Sequence, residues 1–442
     1  MNTHLTRRSA LLLSATAILT SVTRRSVNAA RPVSPDSVVL TWYKLILELV
    51  RHTPTYSPPV ASRTFAYVGV AVFEALASGS PALKTLAGQL NGLKPLAPRD
   101  PGQSYDETLV LNAVLENAVR DFFGNTGPTG QHVMERFSAK RRDEARDGIA
   151  QDVIERSETH GQAVMAHILD WSAGDGGAKI ENMGFPYEYA LTKGPGHWVP
   201  TSTIGQQQMP LLPNWGKNRS FAVPSGTSCP LPPPPAYSED PASDFYKEAL
   251  EVCETRKNLT PEQKTIARFW SDDPMLSPTP PGHWMWIAVN LLEARKADAI
   301  EVADVLARLG IAAADGFIAC WAAKFEYDLL RPVTYIKKLI DPKWEPLLIT
   351  PPFPEYPSGH STQSGAAAVV LANLFGENFA FTDSTHERDG IKPRAYPSFW
   401  AAAEEAGISR LYGGIHFRAA IGSGLDQGRC IGAHANALQT RT

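Results

Sequence analysis

The stretch SRTFAYVGVAVFEALA, residues 62–77, repeats its apolar side chains at helical rather than alternating spacing. The same period runs through VLTWYKLILELVRH (39–52) and ETLVLNAVLENAVRDFF (107–123), whereas the two-residue alternation of half-buried strands is scarce anywhere in the chain. These stretches predict an all-α protein. A more charged block from Gly130 to Ser172 predicts further helix with a solvated face, ended by AGDGG.

From Tyr187 to Asp240 the composition turns to proline, glycine and polar residues, closing with CPLPPPPAYSED, which forbids continuous helix. Helical period resumes at LTPEQKTIARFWSDD, where Thr260 is placed as N-cap, Pro261 in the first turn and Gln263 in the capping-box position. It continues almost to the C-terminus, and no solenoid repeat is visible. The expectation is two helical bundles, residues 31–186 and 241–442, joined by a Pro/Gly-rich linker over 187–240.

With 442 residues the chain can bury a large core or two. Its 42 lysines and arginines stand against 45 acids, a net charge of −3, which argues against a nucleic-acid binder that must neutralise many phosphates. Any anion site must be local. The first thirty residues carry paired arginines at Arg7 and Arg8, an apolar stretch from Ala10 to Leu19, and Asn28, Ala29 and Ala30, a pattern similar to a twin-arginine export signal. A disordered basic N-terminus is the alternative reading. Cleavage would remove four arginines and no acid, taking the charge from −3 to −7 and placing the protein in the periplasm or outside the cell. Beyond this segment no apolar run reaches the roughly 20 residues of a membrane span. Cys229, Cys253, Cys320 and Cys430 lack metal-ligand spacing; in an exported protein Cys229 could pair with Cys253, but connectivity stays open.

Three short blocks carry the chemistry. In WAAKFEYDLLRPVTYI (321–336), Lys324 and Arg331 are seven residues apart, which on one helix places them on one face about 10 Å apart along the axis, with Pro332 ending or kinking it. In PSGHSTQSG (357–365), Ser358 and Gly359 stand where a helix begins, so their N–H groups and the positive end of the dipole would face an oxyanion, with His360 beside them. In GISRLYGGIHFRAA (407–420), the glycines at 413–414 break the helix between Arg410 and His416 and allow both to aim at one point. Taken singly, each has a plain structural reading: a solvated cationic stripe, an N-cap, a core histidine. Together they supply three cations, a hydroxyl, a glycine amide and two histidines, a shell suited to a phosphate-like anion.

The order Lys324-x6-Arg331-Pro332, Pro357-Ser358-Gly359-His360, Ser409-Arg410-x5-His416 resembles the signature of the vanadium-dependent haloperoxidase and type 2 acid phosphatase superfamily. A looser similarity begins near FWSDDPMLSPTPPGHW (269–284). The resemblance implies an all-α fold with the active site in the C-terminal bundle. It implies vanadate as cofactor, His416 as its axial ligand, and Lys324, Arg331, Ser358, Gly359 and Arg410 around its oxygens. His360 would be the general acid/base, Asp272 or its neighbour Asp273 the partner of Arg410, and Trp321 and Phe353 the aromatic residues beside the halide. Substrates would be hydrogen peroxide, halide and a small organic acceptor. The alternatives are an acid phosphatase acting through a phosphohistidine at His416 and a non-catalytic oxyanion-binding protein. One departure stands out: the family often continues its last block as His-x3-Asp, and this chain has Ala420 there. A missing aspartate weighs more against a histidine that attacks phosphorus than against one that only ligates, since a backbone carbonyl could fix the ligand's tautomer.

Overall fold

The structure, a computed structural model, describes residues 33–202 and 204–442; the proposed export signal lies outside them. The N-terminal half contributes α1 (Pro35–His52), α2 (Pro58–Ala77), α3 (Glu107–Phe122), α4 (Pro128–Arg146) and α5 (Gln151–Ala173). The C-terminal half contributes α6 (Asp244–Lys257), α7 (Pro261–Phe269), α8 (Thr279–Ala294), α9 (Ala299–Tyr327), α10 (Pro332–Leu339), α11 (Gly359–Phe375), α12 (Phe399–Gly413) and α13 (Arg418–Asn436). The all-α expectation holds, with one interruption: β1 (Phe381–Asp383) and β2 (Arg394–Tyr396) pair antiparallel, Phe381 opposite Tyr396. The block 130–172 is two helices rather than one, because Gly148 sits at a left-handed φ of 77° between α4 and α5. Thr260 and Gln263 form the reciprocal cap expected of α7.

The two bundles share a continuous apolar core that runs from Val38 through α2 and α9 to Leu438. Glycines let α2 and α9 touch backbone to backbone. A Cβ on Gly69 would lie 2.8 Å from the Ala307 Cα, and one on Gly310 would lie 2.7 Å from the Phe65 carbonyl oxygen. Both helices are long and apolar enough to cross a membrane by length and composition, but 94% of each apolar window is buried against protein, the environment of core helices.

Among its described residues the 187–240 segment lacks α-helix, as expected, and it runs as a strap bonded to both halves, to Asn91 and Asp175 on one side and to Asp315, Asp328 and Pro352 on the other. Its hold on α9 is specific: the buried Asp315 carboxylate accepts the N–H groups of Phe221 (2.6 Å), Ala222 (2.8 Å) and Val223 (3.0 Å). Farther along, Cys229 is disulfide-bonded to Cys430 of α13 across 201 residues, and Cys253, the partner suggested by proximity in sequence, is a free buried thiol in α6. Elements distant in the chain are thereby brought to one end of α9, where the functional side chains gather.

Candidate active site

Lys324 lies in the last turn of α9 and is fully buried. Its ammonium donates to the carbonyls of Pro354 (2.9 Å), Glu355 (2.9 Å) and Pro357 (2.5 Å), which orients it within the turn that precedes α11. Burial, with the charge of Arg331 adding to it, brings its pKa down to about 7. The single helical face expected for Lys324 and Arg331 does not exist. α9 ends at Tyr327, Asp328 caps it in the left-handed region, and Arg331 is already the N-cap of α10. The loop still brings the pair together, because both cations lie over the Phe353 ring, at 5.2 Å and 5.0 Å from its centroid.

Arg331 donates from Nε to the Phe353 carbonyl (2.9 Å) and from Nη1 to the Ile415 carbonyl (3.0 Å), while its buried Nη2 has no partner. Nη1 also faces His416 Nε2 at 3.2 Å. On its other side the His416 ring meets a carboxylate: Nδ1 lies 2.8 Å from Glu355 Oε1, which also accepts the Phe417 N–H at 2.8 Å. An arginine only donates and a carboxylate accepts, so the bonding fixes the tautomer as Nδ1–H with a lone pair on Nε2. Burial and the neighbouring cations hold the ring well below the usual histidine range, so that it is neutral.

Glu355 is what stands in for the aspartate missing at Ala420. It reaches His416 from 61 residues away, whereas Ala420 is itself fully buried in an apolar cluster and could not house a carboxylate. The orienting group is therefore a side chain and not a backbone carbonyl. The missing aspartate also ceases to count against a nucleophilic histidine. Nothing local marks Glu355 in FPEYPSGH; only the long-range pairing gives it meaning.

Ser358 caps α11, its Oγ accepting the Ser361 N–H at 3.3 Å. Its own N–H donates to the Ala420 carbonyl (3.0 Å) and is not free for an anion, so the helix end offers Gly359 and the residues after it. His360, one residue on, lines the cavity, with Nε2 buried and unpartnered. Burial first, then the charge of Arg410, keeps this ring well below the usual histidine value. Arg410, fixed near the C-terminal end of α12, donates to Ser409 Oγ (2.9 Å) and to the carbonyls of Ala267 (3.3 Å) and Trp270.

The pairing of Arg410 with Asp272 is not made. Both oxygens of the Asp272 carboxylate lie 3.0 Å from His283 Nδ1, and Oδ1 lies 3.1 Å from His386 Nε2, so the carboxylate is turned to two histidines rather than to the arginine. Asp273 makes no ion pair with Arg410 either, among the described residues, though the arginine's charge works against the upward push of burial on its carboxyl. Trp321 and Phe353 do meet, with ring centroids 4.9 Å apart, and the Trp321 indole N–H is held by the Leu211 carbonyl of the strap at 3.1 Å.

Lys324 and Arg331 are buried behind the Phe353 ring, and Trp321, Phe353, Gly359, His360, Arg410 and His416 line one cavity of about 450 Å³, with Asp272 on its wall. Met275, Leu276 and Ile349 line it as well and are 46%, 66% and 81% exposed, an apolar rim at the mouth.

The family model for the second helical-bundle domain of vanadium chloroperoxidase matches residues 304–342 and 339–442, the region holding Trp321, Phe353, Gly359, His360, Arg410 and His416, and Lys324 besides. A solved bacterial vanadium-dependent iodoperoxidase is similar over 95% of this chain and 98% of its own, at 36% identity and a TM-score of 0.84. The chain belongs to the vanadium-dependent haloperoxidase superfamily. A bacterial vanadium-dependent chloroperoxidase in its holo form shares the fold at 16% identity and a TM-score of 0.69, covering 87% of this chain and 92% of its own. No curated protein is matched. The similarity lies with the haloperoxidases and does not favour the acid phosphatase alternative.

Proposed function

We propose that this protein is a vanadate-dependent haloperoxidase that oxidises halide with hydrogen peroxide to hypohalous acid, for halogenation of a small organic acceptor. The observation that carries the reading is His416: a neutral imidazole, its Nδ1–H given to Glu355 and its Nε2 facing Arg331, in the field of Lys324 and Arg410. The shell fits a tetrahedral oxyanion. Arg331 Nη2 and His360 Nε2 are buried without partners, and a trianionic or dianionic ligand would satisfy both. Lys324, Arg331, Gly359 and Arg410 would hold its oxygens, with His416 Nε2 as the ligand to the metal. Vanadate held there supplies Lewis acidity for peroxide activation.

The chain's own residues do the rest. His360, neutral at working pH, takes a proton from the incoming peroxide and returns it to the leaving oxygen. Lys324, held by three carbonyls, keeps a positive charge beside the oxygen to which halide adds, and the cost of that burial is lowered once the anion is bound. Trp321 and Phe353 form a dry wall beside it for a weakly hydrated halide, and the apolar rim of Met275, Leu276 and Ile349 suits an organic acceptor. Export through the twin-arginine segment accords with the Cys229–Cys430 disulfide, which belongs in an oxidising compartment.

The test compares two activities on one preparation. Protein reconstituted with orthovanadate is given peroxide with iodide, bromide or chloride, and the vanadate-free protein is given an aryl phosphate. Halide oxidation that requires vanadate is expected. Phosphate hydrolysis without halide oxidation would instead make it a phosphatase, and neither activity would leave an oxyanion-binding protein.

A further inference from the structure

Asp272, taken from its expected place beside Arg410, belongs to a second cluster. A carboxylate oxygen of Asp272, His283 Nδ1 and His386 Nε2 all lie within 4.8 Å of one another and are buried. The outer nitrogens of both rings are also committed: His283 Nε2 to Asp383 at 2.7 Å and His386 Nδ1 to Asp389 at 3.0 Å. Asp389 in turn accepts from Arg51 of α1 at 2.7 Å. Two imidazoles turned inward on one carboxylate, each giving its outer N–H to another carboxylate, is the arrangement by which proteins orient metal-binding histidines.

Charge accounting sharpens this. Three carboxylates and one arginine leave two negative charges, to be balanced either by a second proton on each ring or by one divalent cation at the inward point. The proton solution places two imidazolium rings 5.1 Å apart between centroids in a buried site, with Trp270 stacked on one of them at 4.4 Å. The metal solution leaves both rings neutral and supplies the same two charges from a single centre. Asp272 is further held in the left-handed backbone region, φ 48°, a conformation that costs energy and persists where the surroundings enforce it.

We propose that Asp272, His283 and His386 form a binding site for one divalent transition-metal ion, separate from the vanadate cradle, that ties the 383–389 turn to the cavity wall. Two imidazoles and a carboxylate suit zinc, cobalt, nickel or copper rather than calcium or magnesium, and Asp272, on the cavity wall, marks the side from which a water would complete the shell. Asp383 and Asp389 orient the rings and Arg51 anchors Asp389. The site is independent of what His416 binds.

Cobalt(II) is the probe. Full-length protein freed of metals by chelator and kept without vanadate is titrated with Co2+, following visible d–d absorption, stoichiometry by native mass spectrometry and the thermal midpoint. One equivalent bound with d–d bands and a raised midpoint is expected. His386→Gln should abolish it and Asp389→Asn weaken it about 10–100-fold, with helical circular dichroism and orthovanadate retention unchanged in both. No Co2+ bound by the wild-type protein, or equal binding by wild type and Asp389→Asn, would overturn the proposal and leave a doubly protonated histidine pair. Should His386→Gln fail to fold, Asp389→Asn, altered at the half-exposed end of the cluster, decides alone.

Discussion

At the scale of single residues the site turns on who holds His416. Glu355→Gln keeps the shape but exchanges a full acceptor charge for a weaker amide oxygen, so vanadate affinity should fall about 10–100-fold while the protein stays folded; equilibrium dialysis against orthovanadate measures it. Restoring the family's aspartate should not rescue it. Ala420→Asp buries a charge in an apolar cluster and is expected to destabilise the fold by about 3 kcal/mol in urea denaturation, whatever happens at the site. His360→Ala should retain vanadate and lose most of the halide-oxidation rate, which separates proton transfer from cofactor binding. That Lys324, Arg331, His360, Arg410 and His416 gather in one region was legible because each belongs to a block whose helix end or glycine break is written locally. Glu355, His283 and His386 were not, since each acquires its role from a partner that the fold brings near and that no spacing rule connects. Ser358 shows the opposite error: a cap is readable from sequence, but that its N–H is already spent on Ala420 is not.

At the scale of elements, α9 decides the geometry. It carries Trp321 and Lys324 at one end, meets α2 through Gly69 and Gly310 in the middle, and holds the strap through Asp315. A methyl group at Gly310 would press on the Phe65 carbonyl, part of rigid backbone that has no rotamer to change. Gly310→Ala is therefore expected to cost about 1–3 kcal/mol of stability and to lower vanadate affinity by shifting Lys324, although residue 310 touches no ligand. Asp315 gives the strap a pH dependence. Burial lifts its carboxyl to about 6 despite three N–H donors, so the folded chain holds the proton more tightly than the unfolded one. Its contribution to stability is then full below about 3.8 and is lost as pH rises through about 6, at about 1.4 kcal/mol per pH unit. Wild type measured against Asp315→Asn should thus lose ground between pH 4 and 6 and hold steady above. The helical character of α2 and α9 was plain from their period; that their glycines exist for contact with each other was not, because a glycine inside a helix pattern looks the same whether it faces water or another backbone.

At the scale of the whole molecule, the shared core makes the two bundles one cooperative body, and thermal unfolding is expected as a single calorimetric transition and not two. Charge and composition argue against a nucleic-acid partner from the sequence alone, while the strap's path and the disulfide partner of Cys229 depended on the assembled fold. Reduction of the Cys229–Cys430 bond frees a loop of 201 residues and should lower stability by about 5 kcal/mol on loop entropy, read as a drop in the urea midpoint with dithiothreitol.

That bond also has a timing. Cys430 follows Cys229 by 201 residues, so its thiol emerges only after α2, α9 and the strap have all been made. The covalent link is then a latch set on a finished shape. Its effect falls on how long the assembled shape lasts rather than on how that shape is found.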